Sequence, residues 1–289
     1  MIKGRQNIWA VLFVGPALFF TAAYLLYPTI NTIGLSFMDR YSENFVGLQN
    51  FIYVFTSQTM LTAFRNNVLW LVVFTFFTVS LGLLFAILLD RVRYEKIAKT
   101  MIFMPMAISF VGAGVIWKFI YAYRPPMVDQ LGILNQVVIW LGGEPIGWLI
   151  ERPWVNNLAL IVVGIWIWTG FCMVILSAAY RGIPQEIIEA AKVDGATEWQ
   201  KFRHVVLPSM KPTIIVVAVT MVVNVLKIFD IVYVMTNGQF GTEVIANRMY
   251  KEMFAFTNFG RASAIATVLF LLIVPVIIFN VRRMKEEGA

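Results

Sequence analysis

The chain has 289 residues, 60% of them hydrophobic and 13% charged, where a soluble domain is about half apolar and a quarter charged; such a sequence belongs in a membrane. Its net charge of +7 comes from short Lys and Arg clusters set between apolar runs, the distribution of a topology signal and not of a nucleic-acid footprint, so a nucleic-acid partner is not expected. The single cysteine, Cys172, lies inside an apolar run and the single histidine, His204, in a charged loop, which leaves no Cys/His cluster for a metal and no intrachain disulfide.

Lys3 and Arg5 precede an apolar stretch that mimics a secretory signal, but the stretch is long and no A-x-A site follows it, so it reads as a retained first span. Lipid offers no partner to backbone N–H and C=O groups, and a helix of about 20 mostly apolar residues satisfies them internally while crossing the bilayer. Stretches at approximately 8–28, 67–90, 100–122, 158–180, 213–235 and 263–281 meet that condition. They predict an all-α, polytopic membrane protein with six transmembrane helices in a single domain over residues 1–289. A shorter run, VVIWL at 137–141, is flanked by Gly, Pro and charge and reads as interfacial or as part of an external loop. One alternating set of connections holds fourteen Lys and Arg and the other seven. The richer set is assigned to the cytoplasm, which places both termini there.

The outer connections at 29–66 and 123–157 carry Tyr41, Phe45, Phe51, Tyr53, Trp148 and Trp154 beside Pro125, Pro126 and Pro153. Rings in such positions are expected to anchor at the headgroup level more often than to touch substrate.

The longest cytoplasmic connection, RGIPQEIIEAAKVDGATEWQKFRHVVLPSMK at 181–211, reads as two short helices. Pro184 suits a first helical turn, Ile187, Ile188, Ala191 and Val193 share an apolar face, and Gly195 supplies a left-handed stop. Thr197 and Gln200 have capping-box spacing, Trp199, Phe202, Val206 and Leu207 give the second helix its own stripe, and Pro208 is expected to end it. Such a stripe must be covered by the rest of the chain, by the membrane surface or by a partner protein, and periodicity does not choose among them.

Ionisable residues within an apolar stretch are costly in lipid and so are functional suspects. Lys227 and Asp230 lie three apart on the fifth stretch, with Asn224 a turn away. They form either a mutual pair on one helix face or a simple neutralisation near the outer interface. Asn224, Lys227, Asp230 and Tyr233 are the candidate substrate-path residues. Lys118, near the outer end of the third stretch, is placed to snorkel. No G-x-x-x-x-G-K-[ST] occurs, so the chain has no P-loop and its energy must come from another polypeptide. No nucleophile–base pair is supported either, and the chain reads as a non-enzyme without a cofactor of its own.

The 181–211 connection resembles the EAA loop of binding-protein-dependent ABC permeases: Glu189, Ala190 and Ala191, three residues, Gly195, nine residues, then Val205-x-Leu207-Pro208, with Val205 standing where that family has Ile. PTINTIGLSF at 28–37, FVGLQNF at 45–51 and FDIVYVMTNG at 229–238 are similar to segments of the carbohydrate-uptake group that includes the maltose transporter's membrane subunits. GQFGTEVIANRMY after the fifth span departs from that group's usual Gly-Pro and resembles the α-glucoside type. The resemblance implies a permease subunit forming half of the path for an oligosaccharide or glycoside. It also implies four partners: a second homologous permease, an ABC ATPase dimer carrying ATP and Mg, an external solute-binding protein and membrane lipid, in the cytoplasmic (inner) membrane of a bacterium or archaeon. In it the ATPase-coupling residues are Glu189, Ala190, Ala191, Asp194, Gly195, Ala196, Val205, Leu207 and Pro208. The alternative is a stand-alone ion-coupled transporter, which uses inverted repeats and broken helices around a midplane site; neither is apparent in the sequence.

Overall fold

In a computed structural model, which describes residues 2–90, 92–125, 127–151 and 154–287, the apolar runs become helices. In chain order these are α1 (Ile2–Thr21), α2 (Tyr27–Leu35), α3 (Gln49–Thr56), α4 (Gln58–Leu69), α5 (Thr75–Leu88), α6 (Glu95–Phe103), α7 (Phe110–Ile120), α8 (Ile133–Trp140), α9 (Val155–Arg181), α10 (Gln185–Val193), α11 (Glu198–Lys201), α12 (Leu207–Leu226), α13 (Asp230–Met235), α14 (Ile245–Tyr250) and α15 (Phe259–Glu287). No strand occurs among the described residues, and one isolated antiparallel bridge joins Met38 to Phe45. Arg91, Pro126, Arg152 and Pro153 lie outside the described residues.

Five helices are long and apolar enough to cross a membrane, or six if the bent pair Glu95–Ala107 and Phe110–Ile120 counts as one. Three of the apolar stretches depart from their expected course. The first continues to Leu35, because a π-helical turn at Ala22–Leu26 places Pro28 at the start of α2, where a missing N–H costs little. The third bends by 101°. Pro105 sits in a 3-10 turn at Met104–Ala107, and Ser109, in extended backbone, restarts the chain as α7 by accepting from Gly112 N at 3.0 Å. The fifth breaks at Lys227–Phe229, where both of those residues leave helical φ/ψ. Broken helices, invisible in the sequence, are therefore present.

The chain forms two compact units, residues 1–61 with 248–271 and residues 62–247 with 272–289. In the second, α9 is the most buried of the long helices, through Leu160, Ile167, Cys172, Met173 and Leu176 among others, and keeps a narrow exposed stripe through Leu158, Val162 and Val174. Glycines set its contacts. A Cβ on Gly82 of α5 would lie 2.5 Å from Cys172 Cβ, and one on Gly164 would lie 3.0 Å from the Trp70 ring. Small residues let membrane helices approach closely where no hydrophobic driving force pulls them together. Asn135 of α8 orders the 122–148 connection: Nδ2 donates to Ala122 O and Ile146 O, and Oδ1 accepts from Ile146 N and from Trp148 Nε1 at 3.0 Å. Trp148 is thus held as a structural anchor, its ring beside Tyr121.

In the first unit, the Leu12–Leu35 span leaves its apolar side chains largely uncovered. Asp39 closes the following turn by accepting from Asn44 Nδ2 at 2.7 Å and from Glu43 N at 2.9 Å. The Asn44 amide, then the backbone donors, hold the Asp39 carboxyl below the usual carboxylate range. Asn50 fastens α3 to this turn by donating to Ser36 O and Met38 O. Burial, and then the Glu252 carboxylate that accepts from its hydroxyl at 2.8 Å, push the Tyr53 phenol up.

Candidate functional site

The 181–211 segment folds as an elbow. α10 ends in a Schellman motif: Gly195 N donates to Lys192 O at 3.0 Å, Ala196 N donates to Ala191 O at 3.0 Å, and Gly195 has φ +77°, which a side chain would strain. Thr197 then opens α11 with a complete capping box, its hydroxyl accepting from Gln200 N while the Gln200 amide oxygen accepts from Thr197 N at 2.8 Å. The expected stop at Pro208 does not occur. A π-helical turn at Phe202–Val206 carries the chain straight into α12, with Pro208 at its second position, so the helix runs unbroken from Glu198 to Leu226. The wider turn absorbs the N–H that Pro208 lacks.

The elbow's apolar stripe divides. Ile188, Phe202 and Val206 turn inward and, with Leu83, Leu84 and Ile87 of α5, line a cavity of about 770 Å³. Ile187 and Val193 remain exposed, Val193 to 88%, and Trp199 is exposed while also lining that cavity beside Phe202. Glu189, Ala190 and Gly195 are exposed beside them, and the Glu189 carboxylate accepts from Gln185 Nε2 at 2.9 Å. Asp194 is also exposed, while Ala191, Ala196 and Val205 are half-buried. Arg181 ties the base of the elbow to the end of α5, donating to Asp90 Oδ1 at 2.8 Å and pairing with Glu95, which also pairs with Lys99 at 2.7 Å.

The four path candidates lie on either side of the break after α12. Lys227 caps the C-terminus of α12 and Asp230 opens α13, so each charge complements a helix dipole. No ion pair joins them, and the i,i+3 face that would have brought them together is interrupted. Asn224 donates to Thr220 O at 2.9 Å within its own helix. Tyr233 is exposed and stacks on Phe229 with centroids 5.0 Å apart. Lys118 donates to Val234 O at 3.3 Å near the far end of α13.

Sequence reasoning missed the clamp on residues 236–245. Asn66 Nδ2 donates to Gly241 O and Glu243 O at 2.8 Å, Asn67 Oδ1 accepts from Ile245 N, and Asn156 Nδ2 donates to Phe240 O at 2.7 Å. The clamped loop holds Phe240 at φ +56° between Gly238 and Gly241, both also at positive φ. The available signal was the asparagine doublets, Asn66-Asn67 and Asn156-Asn157, each heading an apolar run.

Residues 78–284 match the family described as the binding-protein-dependent transport system inner membrane component. The chain belongs to that family. The permease is accordingly a multi-pass inner-membrane protein. It is 60% identical over 276 residues to the osmoprotective compounds uptake permease protein GgtC of Synechocystis sp., covering 96% of this chain and 99% of that one. It is 50% identical over 288 residues to the alpha-glucoside transport system permease protein AglF of Rhizobium meliloti, covering 99% and 85%. A chain in the crystal structure of a bacterial ABC transporter involved in the import of alginate has the same fold, with a TM-score of 0.82 at 23% identity over 99% of this chain and 97% of that one. A structure of a bacterial alginate ABC transporter in complex with a pentasaccharide-bound periplasmic protein aligns at 0.81 and 24% identity, over 96% and 94%. The ion-coupled alternative finds no support among these relatives.

Proposed function

We propose that this permease is one of two homologous membrane subunits of an ATP-driven importer, and that it forms half of the path for a sugar or glycoside handed over by an external binding protein. The observation that carries the reading is the α10–α11 elbow. It is rigidly capped at Gly195 and Thr197, yet leaves Ile187, Val193 and Trp199 uncovered around Glu189 and Ala190, and a preformed apolar surface of that kind on a long connection fits a partner protein. That partner is an ATPase subunit, which binds ATP and Mg; this chain binds neither. Glu189 faces a basic residue of the ATPase, the small Ala190, Ala191 and Ala196 allow close approach, Asp194 and Gly195 set the elbow's turn, and Val205, Leu207 and Pro208 lie on the unbroken helix that links the elbow to the span. Both termini then lie in the cytoplasm with the elbow. The sugar class rests on the alpha-glucoside relative together with the sequence resemblance. Asn224, Lys227, Asp230 and Tyr233 line the path, where two helix ends and an exposed ring offer hydrogen bonds and a stacking face.

Charge reversal at Glu189 is the test. The side chain is exposed and accepts one local hydrogen bond, so Glu189→Lys inserts as the wild type does, while sugar uptake by the reconstituted complex falls at least about tenfold, the value of one charge-assisted hydrogen bond. Wild-type uptake by that variant defeats the docking role. A flat response of ATPase activity across a panel of sugars, with the binding protein present, defeats the sugar assignment.

A further inference from the structure

Within the unit formed by residues 1–61 and 248–271, a pocket of about 280 Å³ is lined by Arg40, Arg248, Glu252, Phe256, Asn258 and Arg261. Three guanidiniums against one carboxylate leave it with two excess positive charges. Glu252 is 1% exposed and its Oε1 accepts from Arg248 Nη2 at 2.6 Å and from Tyr53 OH at 2.8 Å. Arg248 Nε and Nη2 also donate to the Tyr53 oxygen, which locks that guanidinium in place and leaves its Nη1 edge without an acceptor among the described residues. Arg40 is oriented by donating to the carbonyls of Phe256 and Thr257. Arg261 differs from both. Its guanidinium lies 4.1 Å from the centroid of the Tyr53 ring, half-buried, with no hydrogen-bond acceptor or carboxylate at bonding distance among the described residues. A guanidinium carries five donors, and one half-buried without a protein acceptor leaves those donors to water or to an anionic ligand that displaces it.

The surroundings define that ligand. Arg261 is the third residue of α15, whose span is the most apolar in the chain, so the pocket sits where hydrocarbon gives way to headgroups. In the same unit Ile52, Phe55 and Phe254 are exposed, Phe254 to 70%. Ile52 adjoins Tyr53 in the chain and Phe254 lies two residues from Phe256 and Glu252; exposed apolar side chains so close in sequence to the arginines suit acyl chains better than an acidic segment of a water-soluble protein. We propose that Arg40, Arg248 and Arg261 form a phosphate-recognition site for the headgroup of an anionic phospholipid: Arg261 and the free edge of Arg248 grip the phosphate oxygens, and Ile52, Phe55 and Phe254 lie against the chains.

The test uses the assembled transporter in detergent, with dioctanoyl phosphatidylglycerol as probe, and reads amide exchange across residues 248–262 together with lipid retention by native mass spectrometry. Expected are saturable protection of that segment by phosphatidylglycerol, weaker protection by phosphatidylcholine, and affinity lowered about tenfold in Arg261→Gln. Arg261→Lys, which keeps the charge but loses the fork, falls between the two. Equal phosphatidylglycerol affinity in wild type and Arg261→Gln overturns the site. Inorganic phosphate protecting the segment as well as the lipid does overturns the lipid as occupant, and protection by the external binding protein but not by lipid assigns the arginines to a protein carboxylate instead. Should Arg261→Gln fail to assemble, the wild-type exchange pattern decides alone, and its absence overturns the proposal.

Discussion

Gly170 is a position at which one added methyl group tests the packing of two helices directly. It sits midway along α9, and a Cβ built there would lie 2.6 Å from Phe103 Cα and 3.0 Å from the Ile102 carbonyl carbon, and nearer still to the Ile102 oxygen. Carbons rest about 3.5–4.0 Å apart, so Gly170→Ala forces the end of α6 away from α9 by roughly 1 Å. The obstructing atoms are backbone, and no rotamer change relieves them. Overpacking of this kind costs about 1–3 kcal/mol, which for a chain of this size lowers the unfolding midpoint by roughly 2–10 °C. The companion is Gly15→Ala in α1, where nothing lies within 4 Å of the added Cβ and helix propensity favours alanine by about 0.8–1 kcal/mol. Thermal unfolding of the purified complex, both variants measured side by side, should show Gly170→Ala falling and Gly15→Ala level or rising. Shifts of the same sign and size would refute the close approach of α6 and α9.

Four further outcomes follow from single residues. Cys172 is fully buried against Gly82, so a membrane-permeant maleimide should label it only after denaturation; rapid labelling of the native complex would place α9 at a surface. Phe240 at φ +56° holds a conformation that costs an L-residue about 1–2 kcal/mol, so Phe240→Gly should leave the melting midpoint level or higher. Gly238→Ala, at φ +68° with its Cβ 2.7 Å from the Glu243 carboxyl carbon, should lower it. Asp39 has a folded-state pKa below its unfolded value, so the stabilisation of its turn is present above the ordinary carboxylate pKa of about 3.9 and is lost as pH falls through the depressed one. A carboxyl NMR titration should place its midpoint below that value and move it upward in Asn44→Ala, and an unmoved midpoint would remove Asn44 as the cause.

The helical stretches were legible because lipid permits few solutions, and the elbow because its determinants are local: Gly195 at a left-handed position and Thr197 three residues before Gln200. The Pro208 stop was misread because a proline signals only its own missing N–H, whereas the π turn that absorbs the loss is set by the preceding five residues, Phe202–Val206. The break at Lys227–Phe229 escaped for a different reason. Charges at i and i+3 look the same to a periodicity argument whether they share a helix face or cap two separate helices. The asparagine clamp was hidden because its acceptors are backbone carbonyls far along the chain, which no side-chain pattern announces; Asn66 reaches across 175 residues to Gly241.

The two breaks have a common logic. Interrupting a helix at membrane depth frees backbone groups that lipid cannot satisfy, so each new end needs a protein partner. Ser109 supplies one at the start of α7, and at the end of α12 the amides of Lys227 and Ile228 fold back onto Asn224 O and Val225 O. The short helices beyond the breaks then complete each other: Gly114 of α7 lets Val234 of α13 approach to 3.0 Å of where a Cβ would be, and Lys118 donates to Val234 O near the C-terminus of α13. α13 therefore has a carboxylate, Asp230, at its positive end and a cation at its negative end. Two ionisable residues that looked like candidates for pairing with Lys227 or with water are accounted for by the ends of one six-residue helix, and Lys227, exposed at the break, is the charge in this region that faces outward from the packed pair.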